Sequence, residues 1–62
     1  MSWNIVNLLG CRGWQNSKMD LLTLTHISDK WVLKLNGNII DRVDTKEDGL
    51  SIAGLYMSAH ND

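Results

Sequence analysis

Residues 31–43 read Trp31-Val32-Leu33-Lys34-Leu35-Asn36-Gly37-Asn38-Ile39-Ile40-Asp41-Arg42-Val43, and this run sets the architecture. Trp31, Leu33 and Leu35 alternate with Val32 and Lys34, the period-two pattern of a strand with one buried face. Asn36-Gly37 follows, a strong short-range hairpin signal because both residues accept the left-handed backbone of a tight turn. Ile39 to Val43 then forms the returning strand. Two registers are open. A two-residue loop places Leu33 opposite Ile40 and Trp31 opposite Arg42. A three-residue loop that includes Asn38 places Leu35 opposite Ile39 and Trp31 opposite Val43, and buries more apolar surface on one face. A one-residue slip turns every side chain of the strand over.

Upstream, residues 19–28 read as another strand, with Leu22, Leu24 and His26 on one side and Leu21, Thr23, Thr25 and Ile27 on the other. Ser28-Asp29-Lys30 makes the turn. Downstream, Thr45 caps a helix, Asp48 gives a capping-box-like partner, and Asp44, Glu47 and Asp48 put negative charge at its positive end. The helix runs to about Ala59. Leu50, Ala53 and Met57 fall on one side of it and Ile52, Leu55, Tyr56 and Ala59 on another, so it asks for cover on more than one side. Residues 1–18 are the least legible. Ser2 is read as capping a short helical turn that carries Ile5, Leu8 and Leu9 and stops at Gly10, although Trp3 and Ile5 also alternate as in a strand. Cys11 to Lys18 reads as a loop. The expected fold is a single α+β domain over residues 1–62. It has a short N-terminal helical segment with its loop (1–18), a three-stranded antiparallel β-meander (19–43) and a C-terminal helix (45–59) packed on one face.

Composition bounds the function. The chain has 62 residues, a formal charge of −1, 44% apolar and 21% charged residues, no proline and one cysteine. That is too apolar for disorder, and one cysteine allows neither a disulfide scaffold nor a thiolate metal cluster. A pI of about 6.0 argues against nucleic-acid binding by bulk charge. A core this small supplies roughly 3–5 kcal/mol, so self-association is expected. The N-terminus has no basic region before a long apolar run, and no stretch approaches the length of a membrane span. Together with the free Cys11, this gives a cytoplasmic expectation.

No motif carries chemistry. His26, His60 and Cys11 lack metal-ligand spacing, Gly10 and Gly13 alone make no phosphate cradle, and the acidic residues of 41–48 lack the order of a calcium loop. Cys11 reads as a packing or incidental thiol. Neither catalysis nor a cofactor or metal is expected. Gly54 and Ser58, beside Ala53, permit close approach, either of a second backbone or over Trp31 of the same chain.

The segment Trp31 to Gly37, then Ile39-Ile40, then Thr45-Lys46 and a helix, resembles the hairpin–helix of ribonuclease H-type hybrid-binding domains over about half the chain. That family binds through basic and aromatic residues near the helix start. Here those positions are Glu47, Asp48 and Gly49, so what the resemblance implies is the hairpin–helix. In its overall economy the chain is similar to small phage- or prophage-encoded accessory proteins that bind and redirect one protein.

The functional expectation is a small non-enzymatic regulator that binds a protein partner and forms a homodimer. Leu55, Tyr56 and Ala59 are the candidate dimer contacts, with Trp14 as a partner anchor. The alternative is a small nucleic-acid-binding module using a face of Arg12, Trp14, Lys18, Lys30 and Lys34, where bases interleave with indoles. Residues 1–40 hold four basic and two acidic side chains, and residues 41–62 two basic and five acidic.

Overall fold

A computed structural model describes residues 3–9 and 11–60. It holds five strands and one helix: β1 (Asn4–Leu8), β2 (Cys11–Gln15), β3 (Leu21–Ile27), β4 (Lys30–Leu35), β5 (Asn38–Val43) and α1 (Lys46–Ala59). The strands form one antiparallel sheet in chain order, and α1 lies across β3, β4 and β5.

The expected three-stranded meander with an N-terminal helical segment is therefore corrected to a five-stranded sheet. Trp3 to Leu9 do not form a helical turn; Asn4–Leu8 is strand β1. Ser2 and Gly10, read as its cap and stop, lie outside the described residues. The supposed loop from Cys11 to Lys18 contains strand β2. The physical reason centres on Gly13, which read as a loop marker. It sits in mid-strand opposite Val6, and a Cβ there would lie 2.7 Å from Leu8 Cδ1. The glycine makes room for the Leu8 side chain across the pair, one of the standard uses of glycine inside a strand.

The hairpin at Asn36-Gly37 combines features of both registers left open by the sequence. Its loop has two residues, with φ of 52° at Asn36 and 88° at Gly37. Leu35 faces Asn38 and Lys34 faces Ile39; a bulge then shifts the pairing so that Leu33 faces Asp41 and Trp31 faces Val43. Ile40 is the extra residue. The turn chemistry wins at the loop, and apolar pairing wins at the far end.

One sheet face carries the core. Leu22, Leu24 and Leu33 are fully buried, with Trp14 and Ala53 beside them. Trp3, Trp31, Leu35, Leu50, Ile52, Tyr56 and Met57 pack around this group. Each buried leucine contributes roughly 1.5–3 kcal/mol. The helix thus turns Leu50, Ile52, Ala53, Tyr56 and Met57 inward, while Leu55 stays 71% exposed. Thr45 Oγ1 accepts the Asp48 N–H at 3.1 Å, fixing where α1 begins.

Two glycines of α1 sit in opposite environments. A Cβ at Gly49 would meet Leu24 Cδ1 at 2.7 Å, whereas one at Gly54 would meet nothing within 4 Å. Gly54 faces solvent and does not lie over Trp31. Thermal denaturation should separate the two sites. Gly54→Ala is expected to stabilise by about 0.5–1 kcal/mol through helix propensity, and Gly49→Ala to destabilise by about 1–3 kcal/mol through overpacking on Leu24. Stabilisation by both would show that the helix does not rest on Leu24.

Candidate functional site

The residues singled out in the sequence do not share one surface. Trp14 is 8% exposed within the buried cluster; it is a core residue, and this burial does not suit a partner anchor. Leu55 and Ala59 are exposed, but Tyr56 is half-buried between Trp3 and His60. Of the basic residues, Arg12 lines a cleft at the start of α1 and Lys18 one at its end. Lys30 is ion-paired with Asp44. Lys34 pairs with Thr23 on the sheet face away from the helix. The Arg12, Trp14, Lys18, Lys30 and Lys34 set is dispersed over the molecule.

What the fold does bring together lies at the two ends of α1. At its start, Arg12, Leu24 and Leu33 form one cross-strand row, and His26, Trp31 and Val43 the next row on the same face. The His26 and Trp31 rings stack with centroids 4.5 Å apart and 4° between planes. Cys11, Arg12, Leu24, Trp31 and Lys46 line a cleft of about 250 Å³. The His26–Trp31 pair was accessible to sequence reasoning. A two-residue Ser28-Asp29 turn pairs Ile27 with Lys30, which puts His26 opposite Trp31.

At the other end, Trp3, Asn16, Lys18, Asp20, Tyr56, Ala59 and His60 line a cleft of about 310 Å³. Trp3 meets Tyr56 edge-on at 6.1 Å, and Tyr56 stacks on His60 at 4.0 Å. His60 also closes the helix. Its backbone N–H donates to Tyr56 O at 3.0 Å, and its ring Nδ1 lies 2.9 Å from the same oxygen, which selects the Nδ1–H tautomer. Trp3 Nε1 is buried without a hydrogen-bond partner.

An amide–carboxylate network borders this cleft. Asn16 Oδ1 accepts the N–H groups of Lys18 and Asp20 at 3.0 and 2.9 Å. Asn16 Nδ2 and Asn36 Nδ2 donate to the two Asp20 oxygens, each at 3.2 Å. Asn36 Oδ1 accepts the Leu21 N–H at 2.8 Å. These bonds tie the β2–β3 loop to the β4–β5 turn. The Asn36 side chain, then that of Asn16, then the charge of Lys18, hold the Asp20 carboxyl below its ordinary range.

Among the described residues no group of three or more His, Cys, Asp or Glu is arranged to hold a metal, and no helix is long and apolar enough to cross a membrane. Comparison with protein-family models, curated proteins and solved structures finds no match to this chain.

Because the folded pKa of Asp20 is depressed, its contribution to stability is present above the unfolded value of about 3.9 and is lost as pH falls through the folded value. Asn36→Gly keeps the left-handed turn and removes the amide that matters most. An NMR titration of the Asp20 carboxyl should then show its pKa rise toward the ordinary value. An unchanged midpoint would assign the shift to another group.

Proposed function

We propose that this chain is a non-enzymatic interaction protein that binds a protein partner, and that a second copy of the chain pairs with the open edge of β1. The observation that carries this reading is the contrast between the two ends of the sheet. β5 carries a bulge at Ile40 and the charges of Asp41 and Arg42, features that discourage strand addition. β1 has neither: from Trp3 to Leu9 there is no charged residue, and its register against β2 is unbroken.

Apolar surface coincides with that open edge. Ile5 lies opposite Trp14, on the face that carries the core, and is 66% exposed because α1 covers only β3, β4 and β5. A strand added to β1 gains main-chain hydrogen bonds and covers Ile5. Two copies related by a two-fold axis bring β1 against β1 with no like charges opposed, as a self-complementary contact requires. The role that fits is accessory or regulatory, exerted by occupying another protein. The unpaired thiol of Cys11 suits the reducing cytoplasm.

Sedimentation equilibrium over a wide concentration range tests the interface. The chain is expected to dimerise, with Ile5→Lys weakening the dimer at least tenfold and Leu55→Lys leaving it intact. Loss of dimer with Leu55→Lys alone would move the contact to the Leu55, Tyr56 and Ala59 surface, and a monomer at every concentration would remove the reading.

A further inference from the structure

The cleft at the start of α1 has a chemistry separate from the β1 edge. Its floor is Leu24, which is fully buried. One wall is the half-buried indole of Trp31, one face of which is covered by the parallel His26 ring. Two exposed cations, Arg12 from β2 and Lys46 from the first turn of α1, complete the lining. No carboxylate belongs to that lining among the described residues. Of the carboxylates nearest in sequence, Asp44 is ion-paired with Lys30. Asp41 stands at the far end of the Arg12, Leu24 and Leu33 row, outside the lining, and its bond to the Arg42 N–H leaves its charge unpaired. Glu47 and Asp48 follow Lys46 on α1 and set a limit on the local positive potential.

A flat apolar wall beside a guanidinium and an ammonium suits a ring that carries an anion. Arginine matches phosphate oxygens in a planar fork, lysine adds a point charge, and an indole offers a stacking surface. The positive end of α1 adds to the same field. About 250 Å³ lies just below the usual range for a drug-sized ligand and is compatible with a ring system partly open to solvent. We infer that this cleft binds a flat ring bearing a phosphate, of the aryl or nucleoside monophosphate class, with Trp31 against the ring and Arg12 and Lys46 on the phosphate.

The probe is adenosine 5′-monophosphate, titrated into the full chain and followed by amide, indole and Arg Nε resonances. Saturable shifts are expected at the Trp31 indole N–H and Arg12 Nε. Adenosine and inorganic phosphate, each alone, should bind at least tenfold more weakly. The double variant Arg12→Gln/Lys46→Gln changes only exposed side chains and should lose at least tenfold in affinity with its spectrum otherwise intact. Ile5→Lys, which alters the β1 edge, should bind like the parent. The inference is overturned by shifts that map elsewhere, by undiminished binding in the double variant, or by inorganic phosphate binding as tightly as the nucleotide without moving Trp31.

Discussion

The helix meets the sheet without room for a Cβ where Gly49 passes over Leu24. Leu24 is in the central strand, between Arg12 on one side and Leu33 on the other, and any side chain larger than hydrogen at Gly49 pushes against it. That single approach fixes the height and position of α1. It sets Lys46 at the rim shared with Arg12 and Trp31, and brings Tyr56 into contact with Trp3. Both clefts are consequences of where this one contact places a rigid fourteen-residue helix.

The helix costs intrinsic propensity to make this fit. Gly49 and Gly54 are poor helix formers, yet only Gly49 is required by packing. Apolar residues occupy much of its circumference, but the sheet absorbs more of them than two separate stripes suggest. Ile52 and Tyr56 join Leu50, Ala53 and Met57 against the core, leaving Leu55 as the large apolar side chain turned outward.

How much of this was legible in the sequence depends on whether local signals agreed. In residues 31–43, alternation and turn chemistry both indicate a hairpin, and the hairpin is there. They disagreed on register, and the bulge at Ile40 is the physical form of that disagreement. Thr45 shows the helix start because its hydroxyl has one evident donor to satisfy. The first two strands were hidden for the opposite reason. Gly13 and Arg12 read as loop residues and Asn4 and Asn7 as part of a helical turn, and it is the hairpin pairing of Val6 with Gly13 and Leu8 with Cys11 that makes them strand. The clefts were still less visible. Arg12, Trp31 and Lys46 are remote in sequence, and the Asn16–Asp20–Asn36 network joins two turns that no local pattern links.

The chain-order sheet has a consequence for how the molecule comes together. Every strand pairs with its immediate sequence neighbour, so no ladder requires distant segments to find one another, and the entropy of loop closure stays small at each step. Such a topology has low contact order and favours rapid assembly. The layer of α1 on β3, β4 and β5 lies entirely within residues 21–59. The first hairpin completes that layer, because Trp14 of β2 belongs to the buried cluster and Trp3, just before β1, packs against it.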